Sequence, residues 1–272
     1  MNRTPRLSKS GIEYLDYVWN FYSGCLHKLT AGICPVPKCW AEEITIRFQA
    51  NYPNDFRPTY YPEAFLSPLH LKRPARIGCA FMGDLFGDWV DPDKKFCSTM
   101  PSGKVMTTMS LKGWIFTTIK QCPQHTFIFL TKRPQNLALW EPFPDNCWVG
   151  VTATDGDAFQ VAQYWLELIK AKVKFISFEP LLDWHFHNVE HLAVSFRDTP
   201  INWVIIGAQT NPYKPPQVEW VTEVVWACVK AGIPVFLKNN LIPCLRAEKP
   251  FLEITKTHRI YPRQELPNVN AV

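Results

Sequence analysis

The residues with the clearest chemistry in this sequence are three cysteines near its start. Cys25, Cys34 and Cys39 fall within a stretch of fifteen residues. Cysteine thiolates are soft ligands that select iron–sulfur clusters, zinc or copper(I). Three thiolates can hold three corners of a four-iron cluster and leave the fourth iron open to another ligand. The cysteines therefore predict a metal site that keeps one coordination position open.

Zinc is the alternative metal for the same segment. His27 follows Cys25 closely, so this histidine and the three cysteines offer three sulfurs and one imidazole, the ligands of a tetrahedral structural zinc site. His27 is equally compatible with a loop histidine that has no metal role. Spacing alone leaves iron–sulfur and zinc equally open, and cysteines buried without a metal are a third interpretation.

Short apolar runs along the chain indicate the elements that must position these cysteines. The runs are almost continuously apolar, as strands buried on both faces of a sheet must be. They cover residues 77–82, 126–130, 147–152, 173–178, 203–207 and 234–237. Apolar residues at helical spacing predict helices over 158–171 and 219–231, the second ending at Gly232, and a third helix over about 41–50.

Strands that alternate with helices indicate an α/β protein with a parallel sheet. A barrel and an open doubly wound sheet both fit this pattern. Neither a glycine-rich nucleotide fingerprint nor a P-loop follows any run, which disfavours the nucleotide-binding open sheets. We therefore expect a partial or complete parallel (β/α) barrel. It would form one domain over residues 1–244, with the cysteine loop near its N-terminus and residues 245–272 as a C-terminal surface extension.

Polar or charged residues follow each apolar run at the point where the run ends. In a parallel barrel the carboxyl ends of the strands form the face that carries the active site. Lys132 and Glu179 are the candidate catalytic residues on this pattern. The candidates for binding a cofactor are Gly83, Asp84, Arg133, Thr152 and Gln209, with Thr154 and Lys238 completing the rim.

Each of these polar residues also has a purely structural interpretation. Asp84 could cap the start of a helix. Lys132 and Arg133 could be an ordinary surface pair, although a guanidinium suits the planar recognition of a carboxylate or a phosphate. Glu179 could form a salt bridge with Lys132, Arg133 or Lys238.

The stretch from Asp183 to His187 contains two histidines, His185 and His187. Their alternation with aromatic residues is more typical of a strand with one polar face than of a metal site. We therefore assign no metal to these histidines.

Composition limits the class of protein. With 272 residues and 47% apolar residues, the chain can bury a continuous core. No long apolar run predicts a membrane span, and the first residues lack the apolar stretch of a secretory signal, so we expect a cytoplasmic protein without a membrane partner. Nine cysteines in such a protein favour metal binding or burial over disulfides. The net charge of +5 permits an anionic partner, and the many aromatic residues are more typical of core packing than of base stacking.

Several motifs along the chain carry a family resemblance. They are Trp19-Asn20 with Gly24-Cys25, Cys34 and Cys39-Trp40-Ala41-Glu42; Met82-Gly83-Asp84-Leu85-Phe86; Leu130-Thr131-Lys132-Arg133-Pro134; Phe178-Glu179-Pro180-Leu181-Leu182; and the run that ends at Gly207. Together they resemble an uncharacterised phage-associated family with a three-cysteine motif, which is itself similar to radical SAM enzymes. The resemblance covers most of the chain, from Tyr17 to Asn240.

The resemblance implies a partial β/α barrel with a [4Fe–4S] cluster held by Cys25, Cys34 and Cys39. It also implies S-adenosylmethionine (SAM) as the second cofactor, cleaved reductively to a 5′-deoxyadenosyl radical that attacks a substrate. The turn at Gly83 and Asp84 would receive the methionine amino group, and Lys132 or Arg133 would pair with the SAM carboxylate or a substrate phosphate. The implied partner is an electron donor such as flavodoxin or ferredoxin. The substrate is unknown; the positive charge, the aromatic residues and the phage association of the family make a nucleic acid or a nucleotide our expectation.

The cysteine spacing departs from the common radical SAM pattern of three and two intervening residues. Here eight residues separate Cys25 from Cys34 and four separate Cys34 from Cys39, and an aromatic residue, Trp40, follows the last cysteine instead of preceding it. A longer loop can still close around a cluster, because the entropy of loop closure rises only slowly with length. The departure leaves the type of cluster open.

Two other classes of function compete with a radical SAM enzyme. A zinc-stabilised nucleic-acid-binding protein would bind DNA or RNA in a salt-sensitive manner and would not cleave SAM. A barrel hydrolase or lyase would use Glu179, Asp84 and Lys132 without a cofactor. Its activity would survive substitution of the three motif cysteines.

Overall fold

The apolar runs are strands in the protein, and most of these strands pair in parallel, which confirms the expected mixed α/β fold. The computed structural model describes residues 6–29, 34–99, 106–186, 188–247 and 263–268. The chain divides into two compact units, Met1–Trp148 and Val149–Val272.

The first unit contains a mostly parallel sheet and two small antiparallel pairs. Its strands are β1 (Leu7–Lys9), β2 (Tyr17–Trp19), β3 (Tyr22–Ser23), β4 (Thr59–Tyr60), β5 (Arg76–Cys79), β6 (Lys95–Thr99), β7 (Met106–Ser110) and β8 (Thr126–Thr131). In the sheet the order is β1-β2-β5-β8, with β1 antiparallel to β2 and the other pairs parallel. The parallel strands of this unit therefore follow one another in space in the order of the chain.

The helices of the first unit are α1 (Trp40–Arg47), which follows Cys39, and α2 (Leu111–Lys120). Helix α2 begins after Ser110, whose hydroxyl accepts a hydrogen bond from the Gly113 amide and caps the helix. Its face that includes Trp114 and Ile115 is fully buried. The predicted helix over 41–50 is confirmed but shorter, since it ends at Arg47.

The second unit has the same alternation of strand and helix. Its strands are β9 (Cys147–Thr152), whose first two residues precede the unit boundary, β10 (Val173–Phe178), β11 (Trp203–Ile206), β12 (Gln209–Thr210), β13 (Tyr213–Lys214) and β14 (Val235–Leu237). Its helices are α3 (Gly156–Leu168), α4 (Val189–Asp198), α5 (Val218–Ala231) and α6 (Ile242–Ala247). The sheet order is β9-β10-β11-β14, again the order of the chain.

The helices of the second unit begin and end where local chemistry predicts. The Asp155 carboxylate accepts from the Ala158 amide and caps α3. Helix α5 ends at Gly232, whose φ of +74° is left-handed, as the sequence predicted. Short 3₁₀ helices lie at Pro62–Ala64, Ser67–His70, Pro134–Trp140 and Asn239–Leu241.

Large aromatic side chains fill the core of both units. Trp19, Trp114 and Trp140 are almost fully buried in the first, and Trp203 and Phe159 in the second. Packing therefore accounts for much of the aromatic content, because these rings are inaccessible to a ligand. Among the described helices, none is long and apolar enough to cross a membrane.

One local expectation was wrong, and one segment of the tail returns to the sheet. Residues 181–186 form no strand, and His187 lies outside the described residues. Ahead of α2, β6 and β7 pair in antiparallel orientation. Gln264 pairs with Phe236 next to β14, and the Trp203 indole donates to the carbonyl of Glu265 at 2.8 Å.

Candidate metal and cofactor site

The loop that carries Cys25 packs directly on the turn that follows β5. The Gly24 amide donates to the Met82 carbonyl at 2.9 Å. Gly24 has a φ of +96°, a left-handed conformation that favours glycine. A Cβ atom on Gly83 would lie 2.3 Å from the Gly24 carbonyl oxygen, so no side chain fits between the two backbones. Because β2 and β5 are parallel neighbours, the Cys25 loop and the Gly83 turn both lie at their carboxyl ends.

Asp84 is the centre of a buried hydrogen-bond network beside this contact. Its Oδ1 accepts from the Thr131 hydroxyl at 2.8 Å and from the Phe86 amide at 3.0 Å. Its Oδ2 accepts from the Lys132 amide at 2.9 Å and lies 2.7 Å from Nε2 of His27. One carboxylate thus joins the cysteine loop, the turn after β5 and the end of β8.

The pKa of Asp84 reports how well these partners stabilise its charge. Burial by itself would raise the pKa of this carboxyl group. The hydrogen bond and charge of His27, together with the Lys132 amide and the Thr131 hydroxyl, outweigh that effect and hold the pKa of Asp84 below its ordinary value. The carboxylate is therefore ionised and is stabilised by donors of the protein itself.

One sequence-based expectation for Asp84 is corrected by this network. No helix begins at Asp84, so it is not a helix cap, and its bond to the Phe86 amide belongs to a local turn. A role of Gly83 and Asp84 in binding the cofactor's amino group stays a prediction, although both Asp84 oxygens already accept hydrogen bonds within the protein.

Sequence reasoning missed the role of His27, because its partner lies 57 residues away along the chain. The imidazole is buried, with 3% exposure, and its ring packs edge-on to Trp89 at 5.0 Å between centroids. The Trp89 indole in turn donates to the Tyr22 hydroxyl at 2.8 Å. No local pattern could have found this pairing.

The three motif cysteines are partly buried free thiols. Burial raises the pKa of Cys25 to about 12; the His27 amide lowers it, while Asp84 and Cys39 raise it further. The pKa of Lys28 is raised first by its bond to Glu42, and also by Cys39 and Cys34.

The type of donor fits a metal–sulfur group, because Cys25, Cys34 and Cys39 supply three thiols within fifteen residues of the chain and none of them forms a disulfide. Residues 30–33, between Cys25 and Cys34, lie outside the described part of the chain. Within the described part, no three side chains of the His, Cys, Asp or Glu type lie close enough to form a metal-binding group. The ligand types are thus present, but their sulfur atoms are not gathered around one point in this structure.

Lys132 and Arg133, the two residues that follow β8, have different surroundings. The charge of Lys132 lowers the pKa of Cys25, although burial outweighs this effect, and no ion pair of the Lys132 ammonium group is found among the described residues. Arg133 instead forms an ion pair with Asp88, which also accepts from Asn136 at 2.8 Å. Lys132 therefore stays a candidate for holding an anion at the cysteine loop, whereas the Arg133 guanidinium already serves a carboxylate of the protein.

In the second unit, Glu179 and Lys238 form a largely buried ion pair at the carboxyl ends of β10 and β14. Glu179 Oε1 lies 2.7 Å from Lys238 Nζ, and Oε2 accepts from the Ser177 hydroxyl at 2.8 Å. Gly207, at the end of β11 between them, leaves room for this contact, because a Cβ atom there would lie 3.1 Å from Lys238 Cδ and 3.2 Å from Glu179 Cγ. The salt bridge to Lys238 that the sequence allowed is confirmed.

The other predicted rim residues of the second unit are used locally. Thr152 is a buried residue at the end of β9, and the Thr154 hydroxyl donates to Asp155, the cap of α3. The Gln209 side chain donates to the Pro212 carbonyl at 2.8 Å within the β12–β13 hairpin. Neither of these two hydrogen bonds by itself indicates a ligand.

The fold and the cysteine loop define an α/β protein with a candidate metal–sulfur site at the carboxyl ends of parallel strands. The chain belongs to the family described as Protein of unknown function (DUF5131), whose model matches residues 9–241. That span contains the three motif cysteines and every predicted rim residue. No curated protein and no solved structure matches the chain.

Proposed function

We propose that this protein is a radical SAM-type iron–sulfur enzyme. The observation that carries the proposal is the contact between Gly24 and Gly83, which sets the Cys25 loop against the turn at the carboxyl end of the adjacent parallel strand. A cluster held by that loop would face the backbone of the turn, where a second cofactor can be held. Both segments are among the motifs that carry the resemblance to radical SAM enzymes.

The strand order supports the barrel that such an enzyme would use. In each unit the parallel strands follow chain order, β2-β5-β8 in the first and β9-β10-β11-β14 in the second. Barrels are wound in this sequential manner, whereas doubly wound open sheets reverse their strand order at a switch point. We therefore propose a partial or complete (β/α) barrel of radical SAM type.

A reduced [4Fe–4S] cluster would supply the electron that splits SAM into methionine and a 5′-deoxyadenosyl radical, which takes hydrogen from the substrate. Cys25, Cys34 and Cys39 would hold the cluster, and binding would require each thiol to lose its proton. The Lys132 ammonium would attract an anionic group, and the turn at Gly83 and Asp84 stays the candidate for receiving the amino group of the second cofactor. The carboxylate of Glu179, fixed by Lys238 and Ser177, stays a candidate for substrate contact.

The test is production of 5′-deoxyadenosine. Protein reconstituted anaerobically with iron and sulfide is incubated with SAM and dithionite, and the products are separated by chromatography. We expect 5′-deoxyadenosine from the wild type and none from Cys34→Ala, because two thiolates hold a cluster poorly. Cys97→Ala is the matched control, since Cys97 is an exposed thiol on β6 outside the motif.

Two outcomes would overturn the proposal. Product formation by Cys34→Ala at the rate of the Cys97→Ala control would remove the ligand assignment. A wild-type protein that is colourless and binds one equivalent of zinc would show that the cysteines hold a structural zinc ion and not an iron–sulfur cluster.

The contact between His27 and Asp84 supports a zinc-binding protein as the second candidate function. Zinc-binding histidines commonly use one ring nitrogen for the metal and bind a carboxylate through the other. His27 has that relation to Asp84 through Nε2. A zinc protein would retain its metal on treatment with dithionite, would not consume SAM, and would act by binding nucleic acid.

The proposed substrate is a nucleic acid or nucleotide, on the basis of the net charge of +5. The abundance of aromatic residues no longer supports this class, because the largest rings lie in the core. Binding of single-stranded DNA or RNA that weakens steeply with salt would support it. Affinity unchanged between low and high salt would argue against a phosphate-rich substrate.

A further inference from the structure

We propose that His27 and Asp84 act as a positioning pair that holds the Cys25 loop in place for its metal–sulfur group. The inference rests on the proposed function, since it takes Cys25 to be a ligand. It adds a role that lies outside the ligand set: neither residue contacts the metal, and both act through Cys25.

The first step of the inference is that Asp84 is itself rigidly held. The Lys132 amide, the Phe86 amide and the Thr131 hydroxyl donate to its two oxygens at 2.8–3.0 Å. These donors belong to the turn after β5 and to the end of β8. The carboxylate is therefore fixed to the ends of two parallel strands before it contacts the cysteine loop.

The second step is that His27 transmits this position to Cys25. The imidazole Nε2 lies 2.7 Å from Asp84 Oδ2, and His27 follows Cys25 by two residues on the same loop. The side chain of His27 therefore ties the loop that carries the candidate ligand to the fixed carboxylate. Loss of this contact would free the loop beside Cys25 to move.

The third step is that the side chains of His27 and Asp84 are shielded from water, which could otherwise replace a lost hydrogen-bond partner. Both side chains are buried, at 3% for His27 and 5% for Asp84. Trp89 covers the imidazole, and Tyr22 anchors the Trp89 indole. Removal of one partner would leave a buried polar group without compensation by water, so the loop would shift to restore hydrogen bonds.

Residues that orient metal ligands from outside the ligand set have measurable effects. Their substitution typically weakens metal binding by about 10–100-fold. A residue that only stabilises the fold would lower the melting temperature without a selective effect on the metal. Asp16 offers the matched control, because its carboxylate accepts from the Arg76 amide at 2.8 Å at the opposite, amino end of β5.

The experiment compares release of iron from reconstituted full-length protein to a ferrous chelator. The variants are Asp84→Asn, His27→Ala, His27→Gln, the double variant Asp84→Asn/His27→Ala, and Asp16→Asn. Melting temperature and the electron paramagnetic resonance spectrum of the reduced cluster are recorded for each. Thr131→Val, which removes the hydroxyl donor to Asp84, replaces any Asp84 variant that does not fold.

We expect Asp84→Asn and His27→Ala each to release iron about 10–100-fold faster than the wild type. The double variant should release it no faster than the worse single variant, because the pair acts as one unit. His27→Gln should release iron at a rate close to that of the wild type, since the glutamine amide nitrogen can replace Nε2 as a donor to Asp84. Asp16→Asn should release iron at the wild-type rate whatever its melting temperature.

Three results would overturn the inference. Additive effects of the two substitutions would mean that the residues act separately. Release of iron from His27→Gln as fast as from His27→Ala would indicate that His27 is itself a metal ligand. Release from Asp84→Asn at the rate of Asp16→Asn would make Asp84 merely structural. These outcomes leave the proposed function standing, whereas a wild type that takes up no cluster would overturn both.

Discussion

Gly83 and Gly24 approach so closely that a Cβ atom on Gly83 would lie 2.3 Å from the Gly24 carbonyl oxygen and 2.8 Å from its amide nitrogen. The atoms it would meet are backbone atoms, which cannot rotate away as the end of a flexible side chain can. The position of the Cys25 loop therefore depends on the absence of a side chain at residue 83.

Gly83→Ala should displace the cysteine loop and destabilise the protein by about 1–3 kcal/mol, the usual cost of overpacking. It should also lower iron uptake on reconstitution. Gly11→Ala is the control, because a Cβ atom there would meet nothing within 4 Å. Urea unfolding and iron analysis of both variants test the prediction; equal iron content in the two would contradict it.

Alkylation should distinguish the cysteines by burial. In folded protein, Cys97 should react quickly with iodoacetamide because it is exposed, whereas Cys79, Cys122, Cys147 and Cys228 should not. Burial raises the pKa of all four buried thiols, that of Cys122 to about 11, so few thiolates are present at pH 8.

The same alkylation experiment should detect metal binding at the three motif cysteines. Cys34 and Cys39 should be alkylated in the metal-free protein and protected after reconstitution, whereas Cys25 should react slowly in both states, because burial raises its pKa to about 12. Mass spectrometry of the peptides measures this directly. Equal labelling of Cys34 and Cys39 before and after metal loading would speak against their being ligands.

The Glu179–Lys238 pair should show energetic coupling. Both side chains are mostly buried, with 16% and 18% exposure. Glu179→Gln or Lys238→Met should each cost about 1–3 kcal/mol, less than for a fully buried pair, because each leaves one charge without its partner. The double variant should cost less than the sum of the single changes. Urea unfolding of all four proteins measures the coupling, and strict additivity would refute it.

Asp16 should contribute stability that depends on pH. Burial alone would raise the pKa of Asp16, but hydrogen bonds from the Arg76 amide and guanidinium and the charge of Arg76 hold it below its ordinary value. The contribution is therefore present above the unfolded-state pKa of about 3.9 and is lost as the pH falls through the lower folded-state pKa.

Asp16→Asn removes this contribution at every pH. At pH 7 the variant should be less stable than the wild type by less than about 1 kcal/mol, since the pair is partly exposed. At pH 3 the difference should narrow. The midpoints of urea unfolding of both proteins at pH 7 and pH 3 test this prediction. A stability difference between wild type and variant that is larger at pH 3 than at pH 7 would contradict it.

Much of the fold could be predicted from local sequence patterns. The runs at β9 and β10 were predicted with their observed bounds, and the stop of α5 at Gly232 followed from the glycine alone. These elements are local because apolar continuity and helix termination depend on neighbouring residues. The strand predicted around His185 failed, since alternation over five residues does not supply a neighbouring strand to pair with.

The candidate site was only partly predictable. The cysteines and the strand-end residues could be named, because ligand type and position after an apolar run are visible in the sequence. Their partners could not: Asp84 was expected to cap a helix or meet a cation, yet it binds His27, and Arg133 binds Asp88. The Glu179–Lys238 bridge was one of several pairings the sequence allowed.

The sequence by itself determined the types of element, their order and the presence of three thiols able to bind a metal. The tertiary structure decided which polar groups meet, such as His27 and Asp84 at a separation of 57 residues. The physical reason is range. Backbone preference and apolar patterning act over a few residues, whereas a buried hydrogen bond forms only where folding brings a donor to an acceptor and removes the water between them.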